Sequence, residues 1–176
     1  MPPTRQLYVL RHAKSSWDDP GLEDHERPLA PRGQKAVKVL AEHLRAERIE
    51  PELILCSSAR RTRETLDGIG VRAETLIEDD LYSASPGQVV ERLRGVPDEI
   101  DSVMVVGHNP AMQVLVLRLA AETASSELDG SELAAVQRKF PTGALATLEF
   151  EGAWSDLAPG GARLTAFVRP RQLAAR

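Results

Sequence analysis

Short apolar runs alternate with stretches of helical periodicity along this chain, and that alternation limits the available folds more than any other feature. Leu7-Tyr8-Val9-Leu10, Leu53-Ile54-Leu55-Cys56 and Val103-Met104-Val105-Val106 are unbroken apolar runs, as expected of strands buried on both faces. From Pro31 to about Arg48, Val37, Leu40, Ala41 and Leu44 recur at helical spacing, with Arg, Lys and Glu on the opposite face, until Pro51 stops the helix. A helix from about Ala59 to Asp67 is closed by Gly68, and Thr75 to Ile77 makes a short strand. Ser85-Pro86 reads as cap plus first helical residue before Val89, Val90 and Leu93. Asn109-Pro110 reads the same way before the stripe of Met112, Leu115, Val116 and Leu119. Ala144 to Phe150 and Leu164 to Val168 alternate as two closing strands. The pattern predicts an α/β fold, a three-layer sandwich with a mainly parallel central sheet flanked by helices, as a single domain over 1–176.

Composition narrows the function. The chain carries 26 acidic against 22 basic side chains, a net charge of −4, which opposes non-specific nucleic-acid binding. Of the 22 cations, 18 are Arg, the side chain that recognises planar anions in bidentate fashion, so a local basic pocket remains open. One Cys, Cys56, forbids an internal disulfide framework and a Cys-rich zinc site. The start, Met-Pro-Pro-Thr-Arg-Gln, lacks the long apolar region of a signal peptide, and Val114 to Ala121 is interrupted by Arg118 and too short for a membrane span. The expectation is a soluble cytoplasmic domain with no membrane partner. No coiled-coil seam is evident, so the chain is expected to be monomeric.

Chemistry gathers where the three strong strands end. The first gives way to Arg11-His12-Ala13-Lys14, the second to Ser57-Ser58-Ala59-Arg60-Arg61-Thr62, and the third to Gly107-His108-Asn109-Pro110. Ligands of open α/β sheets collect outside the carboxyl ends of parallel strands. If the three are parallel neighbours, two of the four His and at least two Arg meet there, beside two helix N-termini that favour an anion. Such a set suits phosphoryl transfer: an imidazole attacks phosphorus, guanidiniums hold the equatorial oxygens, and a second His donates to the same group. With Arg supplying the positive field, no metal or other cofactor is required.

Three motifs, Leu-Arg-His-Ala at 10–13, Ser57-x-x-x-Arg61-x-x-x-Thr65 and Val-Gly-His-Asn at 106–109, stand in the order seen in the histidine phosphatase superfamily, which this chain resembles. Arg11-His12-Ala13-Lys14-Ser15-Ser16-Trp17, Arg27-Pro28-Leu29 followed by Gly33, and Leu81-Tyr82 before a helix make it similar to the SixA-type phosphohistidine phosphatases. The resemblance covers roughly residues 5 to 120 and implies a phosphoglycerate mutase-like fold. It implies His12 as nucleophile, Arg11 and Arg61 on the phosphoryl group, His108 completing the pocket, and Arg27 reaching the phosphate. Arg60 is the rival of Arg61; the family spacing, with Thr65 four residues on, selects Arg61. Lys14, in the loop after His12, and Asn109, next to His108, are further candidates for binding substrate. The substrate implied is phosphohistidine in a signalling or phosphotransfer protein; a small phosphomonoester, or a phosphorylated partner bound without turnover, are the alternatives.

Two departures bear on mechanism. The usual Arg-His-Gly reads Arg-His-Ala, so the turn after His12 must accommodate a Cβ. The mutase branch carries a Glu general acid that has no match here; Glu78, Asp79, Asp80 and Asp18 are the carboxyls in reach of the question. A site without a strong acid favours N–P over alkyl O–P bonds, because an alkoxide needs a proton to leave whereas an imidazole is far less basic. A cysteine phosphatase requires Arg six residues beyond its Cys, and Thr62 stands there instead. His-Glu-x-x-His and His-x-His, the compact zinc patterns, are missing. His25 and His43 read as surface residues, and the acidic clusters Glu23 to Glu26 and Glu78 to Asp80 as solubilising or as recognising a basic partner.

Overall fold

A computed structural model of the chain describes residues 1–121 and 127–175, with the backbone alone for 127–130. The three apolar runs form β1 (Thr4–Arg11), β2 (Leu53–Ser57) and β4 (Ser102–Gly107), joined by edge strand β3 (Glu74–Glu78) and the two closing strands β5 (Leu145–Glu151) and β6 (Arg163–Val168). All belong to one sheet in the order β3-β2-β4-β1-β5-β6. β3, β2, β4 and β1 run parallel, β5 is antiparallel to β1, and β6 is antiparallel to β5. The expected mainly parallel sheet is therefore present, and β2, β4 and β1 are adjacent.

Strand periodicity divides the core in two. Leu7, Val9, Leu53, Leu55, Val103 and Val105 face one way, against α3 (Pro86–Arg94), α4 (Ala111–Ala120) and α5 (Glu127–Arg138). Tyr8, Leu10, Ile54, Cys56, Met104 and Val106 face the other way, against α1 (Pro31–Ala46), α2 (Arg60–Ile69) and Leu173 of α6 (Pro170–Ala174). Leu10, Ile54, Leu55 and Met104 are wholly buried; burial of a side chain of this size contributes about 1.5–3 kcal/mol. The result is the three-layer sandwich that continuous apolar strands require.

Two helix ends differ from expectation. α2 runs through Gly68 to Ile69 and is closed by Gly70, whose φ of 68° is the left-handed cap geometry. Gly68 serves packing instead: a Cβ there would lie 2.1 Å from Val37 Cγ1, so its absence lets α2 lie close to α1. At the other end of the site, the Asn109–Pro110 peptide is cis and α4 begins at Ala111, with Pro110 in the cap position. Neither α5 nor α6 was expected from periodicity, although α6 opens with Pro170 at its first position, a readable start signal.

The long connection from β1 to α1 is held at both ends. Ser15 bridges Leu29, the Ser16 N–H donates to Pro28 O at 2.8 Å, and Ala30 N–H donates to Lys14 O at 2.8 Å. Gly33, one turn into α1, packs on that loop so tightly that a Cβ would fall 2.1 Å from Lys14 O. Only a residue without a side chain fits.

Candidate active site

Strand register assembles the site. Arg11 of β1 lies opposite Gly107 of β4, and Cys56 of β2 opposite Val106, so the residues that follow all three strands emerge together. His12 N–H donates to Gly107 O at 3.0 Å, and the His12 and His108 ring centroids are 5.3 Å apart. Sheet order alone thus brings together two histidines 96 positions apart in the chain (108 minus 12).

His12 is buried, and its Nδ1 lies 2.7 Å from Ala13 O. A carbonyl only accepts, so the proton sits on Nδ1 and the Nε2 lone pair is the free one. Burial, assisted by the charges of Arg61 and Arg11, pushes the imidazole down to about 3, against the opposing effect of the Ala13 bond. His12 is therefore neutral at physiological pH and carries a lone pair ready to attack.

His108 is held by Ser57 Oγ, 2.8 Å from its Nε2, and by the edge of Tyr82, with ring centroids 5.6 Å apart. Burial and then Arg61 push it down to about 4. Its Nδ1 and Arg11 Nε are the buried side-chain nitrogens without a hydrogen-bond partner among the described residues. Both flank His12 in sequence or space. Leaving such groups unpaired costs about 1–3 kcal/mol each, and they concentrate where a ligand completes the set.

The arginines divide by role. Arg11 donates through Nη1 to Phe140 O at 3.0 Å, which leaves Nε open. Arg61 is buried and donates to Asp24 O at 2.7 Å and Asp24 Oδ2 at 3.0 Å. Arg60, its rival, turns outward into an ion pair with Glu64 at 3.1 Å, whereas Arg61 turns inward. Thr65 accounts for that spacing: its hydroxyl donates to Arg61 O at 2.7 Å and accepts from Ala13 N–H at 3.0 Å, tying α2 to the turn after His12.

Arg27 is buried beneath Trp17, whose ring centroid lies 3.3 Å from the guanidinium carbon, and donates to Ser16 O, to Ser15 Oγ and to Asp24 Oδ1. It meets Arg61 through Asp24, one step removed from the histidine pair. Lys14 is exposed and lies in a separate cleft on the α1–α6 side. Asn109 is committed to backbone: its Nδ2 donates to Phe140 O at 3.0 Å and its Oδ1 accepts from Gln113 N–H at 3.2 Å.

Sequence reasoning missed Asp24, Tyr82 and Ser57, and it placed His25 on the surface. Asp24 joins Arg27, Arg61 and the Tyr82 hydroxyl, which donates to it. The Tyr82 bond and the Arg61 guanidinium hold its carboxyl down at about 2, against a smaller opposing effect of burial. His25 packs on the edge of Tyr82 at 4.8 Å, and its Nε2 lies 2.9 Å from Ser58 Oγ. The readable signal was Asp24 standing three residues before Arg27, on one turn of a short 3₁₀ helix.

Of the carboxyls weighed as general acid, Glu78 is held by Arg92 at 2.8 Å, Asp79 and Asp80 line another cleft, and Asp18 is exposed. Asp24 is ionised. Cys56 is wholly buried in β2, and burial pushes its thiol up to about 12, which removes it as a nucleophile. Among the described residues no group of three or more His, Cys, Asp or Glu side chains could hold a metal ion.

The chain matches the family model of the histidine phosphatase superfamily (branch 1) over residues 7–87, the stretch from β1 to the start of α3. It is 39% identical to an uncharacterised protein of Mycobacterium tuberculosis over 165 residues, which span 92% of this chain and 100% of that one. A solved structure of a candidate phosphohistidine phosphatase SixA from Nakamurella multipartitia superposes with a TM-score of 0.85 at 32% identity, covering 97% of this chain and 99% of that one. A second such structure, from Agrobacterium tumefaciens, gives 0.75 at 31% identity over 96% and 99%. The chain belongs to the histidine phosphatase superfamily, and within it is similar to the SixA-type proteins.

Proposed function

We propose that this protein is a metal-independent phosphatase that removes phosphate from phosphohistidine in a signalling or phosphotransfer protein. The observation that carries this is the pair of unpaired buried nitrogens, Arg11 Nε and His108 Nδ1, beside a neutral His12 whose proton is fixed on Nδ1. His12 Nε2 attacks the phosphorus, and the N–P bond to the substrate histidine breaks. The substrate ring leaves as neutral imidazole when its other nitrogen carries a proton. Arg11 and Arg61 face the equatorial oxygens; in the His108 tautomer that carries its proton on Nδ1, Ser57 Oγ–H donates to Nε2 and Nδ1–H donates to the same group. A water then attacks phosphorylated His12, releases inorganic phosphate and restores the imidazole.

Substrate choice follows from the carboxyls. Among the described residues the one carboxyl joined to the site, Asp24, is ionised and bound to two guanidiniums, so it has no proton to give an alkoxide. Transfer between two imidazoles needs none. The expected result is a kcat/KM on a phosphohistidine protein at least about 10²-fold above that on an alkyl phosphate monoester, the range that a positioned general acid supplies. Faster turnover of the alkyl ester would contradict this reading and point to a small-molecule phosphomonoesterase.

A further inference from the structure

A cleft of about 750 Å³ opens between α1, α6 and the segment that precedes β5. Lys14, Arg32, Lys35, Lys139, Arg169 and Arg171 line it, and among the described residues no carboxylate does. Among the described residues none of these six is in an ion pair, in a chain whose net charge is −4. Ala36, Val39, Pro141 and Pro170 give the cleft apolar wall between the cations. It adjoins the nucleophile: Lys14 is two residues beyond His12, and Thr142 precedes Gly143, whose N–H donates to His12 O at 2.9 Å. On the far flank of the same sheet edge, Glu78, Asp79, Asp80 and Glu91 line a second, acidic cleft with Arg92 as its one cation.

We propose that the basic cleft docks an acidic segment of the phosphorylated protein while its phosphohistidine enters the His12 pocket. This inference rests on the reading of the protein as a phosphohistidine phosphatase. Six cations that have no ion-pair partner among the described residues, set around apolar wall, match a segment that mixes carboxylates with apolar side chains. The acidic far flank repels the continuous phosphate backbone of a nucleic acid and sets the direction in which a bipolar protein partner can approach. The cations stand outside the reacting atoms, so they act on binding and leave the chemical step alone.

The test uses three synthetic peptides with one phosphohistidine each: neutral flanks, four Glu on the amino side, and four Glu on the carboxyl side. At low ionic strength one acidic peptide should show a KM about tenfold below the neutral one, with the gap closing in about 0.5 M salt. The triple variant Arg32→Gln, Lys35→Gln, Arg171→Gln should lose that gap while turning over an aryl phosphate at the native rate. Equal KM for all three peptides, or a gap that survives in the triple variant, overturns the docking proposal alone. An RNA oligonucleotide that competes with the neutral peptide as well as a dephosphorylated acidic peptide does would also overturn it, by assigning the cleft to nucleic acid. Turnover of the aryl phosphate but of none of the peptides would instead overturn the substrate reading on which the proposal stands.

Discussion

His12 and His108 show how burial, with help from neighbouring guanidiniums, keeps an imidazole pair neutral. A free imidazole titrates near 6.5, whereas these two titrate at about 3 and about 4, because burial penalises the charged ring and Arg61 adds to it. The unfolded chain therefore takes up protons as pH falls below about 6.5, and the folded chain does not until much lower. Folding weakens across that window. Between pH 7 and pH 5 the two histidines together should cost on the order of 3 kcal/mol of stability. Urea unfolding at the two pH values measures this, and His108→Asn should remove about half of the difference. Equal unfolding free energies at both pH values would contradict the burial argument. Asp24 works in the same sense over a lower window: its carboxyl lies below its ordinary value, so its contribution is lost as pH falls from about 4 through about 2. At residue scale His12, Arg11, Arg61 and His108 were legible as candidates because they stand at strand ends or in the first turn of a helix: Arg11 ends β1, His12 and His108 follow β1 and β4, and Arg61 is second in α2. Ser57 and Tyr82 stood in motifs and Asp24 one turn before Arg27, but their roles were not legible, because the Tyr82–Asp24 and Ser57–His108 contacts join segments far apart in the chain and carry no local period.

The elements show where packing overrides local signals. Gly68 looked like a helix stop, since glycine after an apolar-periodic stretch usually is one, yet the left-handed turn is at Gly70. The requirement at Gly68 comes from Val37 on another helix, which no reading of α2 by itself reveals. Asn109-Pro110 had the composition of cap plus first helical residue; α4 begins one residue later, at Ala111, yet Asn109 Oδ1 still accepts from Gln113 N–H in its first turn while Nδ2 donates to Phe140 O. Gly33 is the informative counterpart, noticed as part of a pattern and explained by Lys14 O lying where its Cβ would go. Because Lys14 belongs to the turn that presents His12, strain there reaches the nucleophile. Gly33→Ala should destabilise the fold by about 1–3 kcal/mol, the usual cost of overpacking, and lower kcat on an aryl phosphate by at least about tenfold. Thermal unfolding and steady-state rates check both halves. A variant with native stability and native kcat would mean the loop yields without disturbing the site.

Across the whole molecule, one sheet with helices on both faces was readable because its central strands are unbroken apolar runs, and such runs need cover on both sides. The expectation that β1, β2 and β4 are parallel neighbours follows from the same runs, and the register places their ends side by side. The distribution of charge was not readable. A net charge of −4 conceals a basic cleft and an acidic cleft on opposite flanks of one site, because cations far apart in sequence converge only after α1 and α6 pack together. Among the described residues no helix is long and apolar enough to cross a membrane. The proposed chemistry turns on His12 accepting the phosphoryl group. The direct measurement mixes the protein with a ³²P-labelled phosphohistidine protein, quenches within milliseconds at alkaline pH, and maps the label by mass spectrometry. The account predicts transient, acid-labile label on His12 that decays as inorganic phosphate appears, and none on a His12→Ala variant, which no longer hydrolyses the substrate. Full hydrolysis by His12→Ala, or label trapped on a different residue, would contradict it.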